Sequence, residues 1–325
     1  MLVLSIGKLC KRLTDRFQDR QVSTAISKVA NQLQGQLKKQ AFERLQNLQA
    51  DLQIDTVVNQ HNVKLKTKKE MTKKETTLVA FSTQKGGAGK TTLTVLMASY
   101  LYYVRGLDVV VVDCDYPQYS IQDMRERDMK RIDSNPALRQ VAFEQFSRLK
   151  KKTYPIVNSA PENAVEVAKG YIESATPPDV IFFDLTGTVN NPAIINTIGL
   201  MDYVFCPITA DRIVATSSLS FASTINEKFI STGQSNIKGL HMMWNMVDGR
   251  EKTDLYGQYD KIFGELGLSV METKVPDSKR FRKEGEAVGK NLFRSTILPP
   301  DKALLRGSNI DKLADEFLKL INYKG

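Results

Sequence analysis

The stretch that most limits how this chain can fold is FSTQKGGAGKTTLTV, residues 81–95, together with the apolar residues just before it. Leu78, Val79, Ala80 and Phe81 read as a short buried strand, the glycines as a turn, and Thr91 onward to Tyr103 as a helix whose N-terminus faces that turn. Strand, loop and helix in that order direct unpaired backbone N–H groups and the positive end of a helix dipole at one spot, which favours bound phosphate. The ordinary phosphate-binding loop reads G-x-x-x-x-G-K-[ST]. Gly89, Lys90 and Thr91 supply its closing half, but Gln84 holds the opening position and the glycines come late, at Gly86 and Gly87. The plain alternative is a glycine turn with solvated lysines, which leaves the matching flanks unexplained.

Beyond this loop, short apolar runs alternate with helical stretches, the pattern of an α/β domain with a doubly wound, mostly parallel sheet. Strands are expected at residues 78–82, 109–113, 180–184, 203–208 and 239–245, and two further helices at 137–151 and 164–174. With 325 residues, 42% of them apolar, the chain can bury a sizeable core without staples. Upstream, Val22, Ile26, Val29, Leu33 and Leu37, then Phe42, Leu45, Leu48 and Leu52, recur at helical intervals and suggest a helical N-terminal extension. VKLKTKKEMTKKETT follows as a Lys-rich linker, so residues 1–75 are expected to form a basic helical extension and 76–325 the α/β domain. Met71, just before the first strand, is an alternative start.

The three cysteines, Cys10, Cys114 and Cys206, are scattered and suit free thiols in a reducing cytoplasm. Two histidines, His61 and His241, leave little room for zinc. No apolar run approaches the roughly 20 residues of a membrane span, and MLVLSIG lacks the charged start and cleavage site of a signal peptide. The net charge of +10 is unevenly placed: residues 1–75 hold 15 Lys/Arg against 7 Asp/Glu, and residues 76–325 hold 31 against 29. A basic arm fits an acidic partner such as nucleic acid or a membrane surface, and equally a solvated face.

Acidic residues end two of the expected strands, where open α/β sheets bind ligands. VVVVDCDYPQYS places Asp113 and Asp115 at one end, and VIFFDLTGTVNNP places Asp184 at another. Taken alone, the first is also an ordinary Asp- and Pro-rich turn. Beside a phosphate loop, such carboxylates can meet a nucleotide and its magnesium.

The form KGGxGKTT resembles the deviant Walker A motif of the ParA/MinD family of P-loop ATPases, and DCDYPQ and FFDLTG resemble that family's other nucleotide segments. The resemblance covers roughly residues 76–322 and implies a three-layer αβα P-loop NTPase fold. It implies that Gly86, Gly87, Ala88, Gly89, Lys90, Thr91 and Thr92 bind the phosphates of ATP, and that Lys85 crosses a homodimer interface to the other subunit's phosphates. Thr91, Asp113 and Asp184 would support Mg2+, Asp115 would polarise the attacking water, and Asn245 and Pro276 would contact the base. This chain departs from the family by Tyr116 inserted before Pro117 and Gln118, and by Leu185, Thr186 and Gly187 in place of Thr-Pro-Pro after Asp184. Gly187 and Thr188 keep that loop mobile and polar.

In partitioning members of the family, arginines matching Arg250 and Arg280 bind DNA without sequence preference. Their neighbourhood from Lys274 to Arg306 holds 9 Lys/Arg against 4 Asp/Glu. MinD-like members instead use a basic amphipathic C-terminal helix on membrane. Here Ile310, Leu313, Ala314, Phe317, Leu320 and Ile321 share one face, but Asp311, Asp315 and Glu316 on the other suit packing on the domain. A related tyrosine kinase would need a tyrosine-rich tail, and a scaffold using ATP only to dimerise would not need Asp115. Within the family, DCDYPQYSIQDMRERD and FFDLTGT most resemble the ParA-type conjugal transfer proteins called TraA. The expectation is a cytoplasmic, nucleoid-associated ATPase switch in DNA partitioning or conjugal transfer, with a ParB-like or relaxosome partner.

Overall fold

The computed structural model describes residues 75–187, 191–233, 235–250, 254–281 and 292–324, all in the second of two units into which the chain divides after Lys73. Of the expected N-terminal extension and linker, everything before Glu75 lies outside the described residues, as does Thr188.

Four continuous apolar runs form the middle of the sheet: β1 (Thr77–Phe81), β2 (Val109–Cys114), β4 (Val180–Leu185) and β5 (Tyr203–Ile208). Runs of this kind suit strands covered on both faces, which is where parallel sheets place them. The sheet has seven strands in the order β3-β2-β4-β1-β5-β6-β7, all parallel, with β3 (Ile156–Asn158), β6 (Gly239–Trp244) and β7 (Ser269–Val270) completing it. The edge strands β3 and β7 were not expected from the sequence. At three and two residues they are too short to carry an alternating pattern.

Alternate strand residues feed two cores. Val79, Phe81, Val111 and Phe182 face one side, where they meet α1 (Lys90–Tyr103) and the C-terminal helix, while Ala80, Val112, Ile181 and Phe183 face the other. The first core also takes in Ile121 and Met124 of α2 (Ser120–Ser134), which is followed by α3 (Pro136–Leu149). The second takes α4 (Ala164–Ile172), α5 (Pro192–Gly199), α6 (Arg212–Ile225) and Phe263 of α7 (Leu255–Glu265). The result is a three-layer αβα fold, as the sequence pattern suggests.

After the short α8 (Lys302–Leu305), the C-terminal helix α9 (Ile310–Leu320) buries Ile310, Leu313, Ala314 and Phe317. The Phe317 ring lies 5.0 Å from that of Phe205 and 5.7 Å from that of Phe182. Its polar side is also used: Glu316 accepts from the Glu272 and Thr273 amides, and Asp315 pairs with Arg105. The apolar stripe of this helix is therefore domain core, not a surface offered to lipid. No helix among the described residues is long and apolar enough to cross a membrane.

Candidate functional site

The loop after β1 is held from both ends. Thr83 Oγ1 and Ser218 Oγ of α6 share a buried hydrogen bond of 2.8 Å. At the far end, Asn245 Nδ2 donates to the Ala88 carbonyl at 2.8 Å, while Asn245 Oδ1 accepts from the Met246 amide at 3.0 Å. Nδ2 thus holds the glycine loop against the turn after β6, while the bond at Oδ1 fixes the orientation of the amide. Gly87 and Gly89 have φ of 81° and 91°, the left-handed region that side chains avoid. Gly89 is constrained twice, because a Cβ there would stand 2.4 Å from Asn245 Nδ2.

Lys90 is buried, and its Nζ donates to the Lys85 carbonyl at 3.3 Å. Burial lowers its pKa, and the nearby Asp184 and Asp115 carboxylates oppose that shift. Lys85 keeps its backbone in this contact while its side chain is exposed. Gly187, after β4, also lies against the loop: a Cβ there would sit 3.1 Å from Lys90 Nζ and 3.4 Å from the Gln84 carbonyl. The segment replacing Thr-Pro-Pro therefore approaches the phosphate loop closely because it ends with a residue that has no side chain.

The acidic side forms where β1, β4 and β2 end together. In register, Asp184 stands opposite Phe81 on one neighbour and Asp113 on the other. Thr91 Oγ1 donates to Asp184 Oδ2 at 2.7 Å. Burial pushes the Asp184 carboxyl up to about 7, with Thr91 holding it down and Asp113 raising it further. Its Oδ1 is buried with no hydrogen-bond partner. A carboxylate oxygen without a donor, beside a hydroxyl, fits a hard divalent cation such as Mg2+.

Asp113 is fully buried. Its Oδ2 accepts from the Ile121 and Gln122 amides at 2.9 and 3.3 Å, and its Oδ1 from the Asp115 amide at 3.2 Å. It ties down the start of α2 and the turn carrying Asp115. Asp115 is partly exposed, and Tyr116 beyond it is 62% exposed, its ring edge-on to that of Tyr119 at 5.8 Å.

A cavity of about 290 Å³ opens at the start of α1, lined by Gly87, Gly89, Lys90, Thr91, Thr92, Leu93, Asn245, Met246, Asp277 and Phe281. The two segments expected at the base end do meet: Val247 bridges Pro276, and the Asp277 amide donates to the Val247 carbonyl at 2.8 Å. Pro276 sits in that bridge, and Asp277 and Phe281 line the cavity. Met246, Asp277 and Phe281 were not singled out from the sequence, where nothing distinguishes them from ordinary loop residues. Arg250 is highly exposed and grips Asp248 with two bonds, Nε at 2.9 Å and Nη2 at 2.8 Å. That pairing pulls the Asp248 carboxyl down to about 2. Arg280 lies in the turn Lys279–Phe281, adjacent through the same bridge, and its side chain is outside the description.

The family model for the CobQ/CobB/MinD/ParA nucleotide binding domain matches residues 79–288, more than half of the chain. The chain belongs to this family. The glycine loop, Asp184 and all the residues that line the cavity fall within the matched span. By sequence, no curated protein matches the chain. Among solved structures, the cell division ATPase MinD of Pyrococcus furiosus is similar at 18% identity and TM-score 0.50, over 75% of this chain and 99% of that one. Cobyrinic acid a,c-diamide synthase of Mycobacterium smegmatis, with bound ATP analog and magnesium, is similar at 18% identity and TM-score 0.50, over 77% of this chain and 96% of that one. The pNOB8 ParA bound to nonspecific DNA is 15% identical at TM-score 0.47, over 77% of this chain and all of the other.

This family site makes Gly89→Ala an informative change. The left-handed backbone costs an alanine about 1–2 kcal/mol, and the new Cβ displaces the Asn245 clamp. Nucleotide affinity is expected to fall at least tenfold with a modest loss of melting temperature, measured by calorimetric titration and thermal unfolding.

Proposed function

We propose that this chain is an ATP- and Mg2+-dependent switch ATPase that dimerises with ATP, holds DNA without sequence preference and releases it on hydrolysis. The observation that carries the reading is the pairing of Thr91 with Asp184 beside the buried Lys90, with an exposed Lys85 on the opposite side of the same glycine turn. Thr91 and Asp184 would hold Mg2+, which supplies positive charge to the phosphates. Lys90 and the N-terminus of α1 bind the phosphate chain, and the Asn245 clamp keeps the loop in shape to do so. Asp115 orients a water for in-line attack on the terminal phosphorus, giving ADP and phosphate. Asp113 acts as support, fixing the turn from which Asp115 projects. Lys85 reaches the phosphates of the second subunit.

Residues Asp248, Arg250 and Arg280 on the two bridged turns form the DNA face, where phosphate competes with Asp248 for the Arg250 guanidinium. The likeness of DCDYPQYSIQDMRERD and FFDLTGT to conjugal transfer proteins favours a role on plasmid or conjugative DNA, with a ParB-like or relaxosome protein stimulating turnover. A reading as a membrane-bound positioning ATPase loses its main support, because the apolar face of α9 is buried in the domain.

ATP turnover by the purified chain, with and without DNA, tests the enzyme reading. For the DNA face, Arg250→Glu with Arg280→Glu is expected to abolish DNA binding at moderate salt. The single Arg250→Gln should lower the slope of log K against log salt by about one phosphate contact. Unchanged binding and slope would place DNA on another surface. ATP-dependent dimerisation should survive both substitutions.

A further inference from the structure

One half-buried cation near the nucleotide cavity has no part in the site described so far. Arg294 lies in an irregular segment, residues 292–298, that is almost wholly buried. Such a segment needs partners for its backbone, and α1 and α2 provide them. Ser99 Oγ and Tyr103 OH of α1 donate to the Ser295 and Thr296 carbonyls at 2.6 and 2.9 Å. Asp128 Oδ2 of α2 accepts from the Thr296 amide at 2.7 Å and from the Ser295 and Thr296 hydroxyls at 3.0 Å each. Residue 294 is therefore fixed relative to α1 by contacts two and three turns along that helix. From there Arg294 Nη1 donates to Thr92 Oγ1, in the first turn of α1 and on the wall of the cavity.

We propose that Arg294 is a phosphate-positioning residue, which holds the Thr92 hydroxyl with its proton turned toward the bound nucleotide and brings a further positive charge to the phosphate chain. A guanidinium can only donate, so Thr92 Oγ1 must accept from it. The hydroxyl proton is then left for an acceptor in the cavity, and a phosphate oxygen is one. The first turn of α1 carries no acidic residue, Lys90 is already buried there, and the Arg127 guanidinium acts on Arg294 from α2. Burial first, then Arg127, lowers the Arg294 pKa to about 10, while Asp128 opposes them. Arg294 thus stays charged at neutral pH.

This inference rests on the reading of the cavity as an ATP site. Calorimetric titration of the 325-residue chain with ATPγS and Mg2+ tests it, alongside thermal unfolding without nucleotide. Arg294→Gln and Thr92→Val are each expected to weaken ATPγS about tenfold, with the double variant no weaker than the worse single. Arg294→Lys should recover part of the loss by keeping the charge. Additive losses in the double variant, or Arg294→Gln within twofold of wild type, would overturn the role of Arg294 while leaving the ATP reading intact. A wild-type protein that binds no ATPγS would overturn both. Should Arg294→Gln fail to fold, Thr92→Val and Arg294→Lys decide: wild-type affinity in both refutes the coupling.

Discussion

Asp184→Asn is expected to stabilise the nucleotide-free protein at pH 8 and to remove ATP turnover. The carboxyl is fully enclosed, one of its oxygens has no donor, and burial holds its pKa at about 7 against 3.8 when exposed. Between these values the folded chain keeps a proton that the unfolded chain has lost, so wild-type stability falls as pH rises through that window and stays reduced above it. Asparagine does not titrate. The stability gap between variant and wild type should therefore be small below pH 4, open with rising pH, and level off above 7. About three pKa units set a ceiling of about 4 kcal/mol on that gap. The same substitution removes the anionic oxygen proposed to hold Mg2+, and turnover should fall by a factor of about 100 or more. Thermal melts with a chelator at pH 5 and pH 8, beside a phosphate-release assay, check both halves. Wild-type turnover in this variant would remove Asp184 from the metal site.

Lys85→Ala carries the second large effect. The Lys85 carbonyl helps position Lys90 within the same subunit, an interaction that alanine keeps, while the exposed amine is free to act elsewhere. The variant should bind ATPγS with near-wild-type affinity as a monomer, yet lose ATP-dependent dimerisation and drop in turnover about 100-fold. Wild-type turnover by a dimeric Lys85→Ala protein would refute the cross-subunit role. A variant that no longer binds ATPγS would place Lys85 in its own subunit's site.

The parts of the fold that were legible in the sequence are those governed by local pattern. VVVVDC and VIFFDL read as buried strands because both faces are covered, and their terminal aspartates mark the carboxyl edge where the site forms. The edge strands were not legible, since strands this short leave no periodic signal. Contacts made across the chain were also hidden. Thr91 meets Asp184 across 93 residues, Asn245 meets Ala88 across 157, and Arg294 meets Thr92 across 202. For the first, motif resemblance stood in for distance. For Asn245 it singled out a residue that lines the cavity and whose amide is engaged with the loop, and nothing in LFRSTIL marks Arg294. Asp113 illustrates a further gap: nothing in the sequence shows that its carboxylate accepts three backbone amides.

Sedimentation velocity of the purified chain, alone and with ATPγS and Mg2+, with a short DNA duplex added in a final run, most directly tests the proposed switch. The account predicts a monomer without nucleotide, a dimer with it, and co-sedimentation with DNA only in the nucleotide-bound state. A monomer under every condition, or DNA binding indifferent to nucleotide, would contradict it.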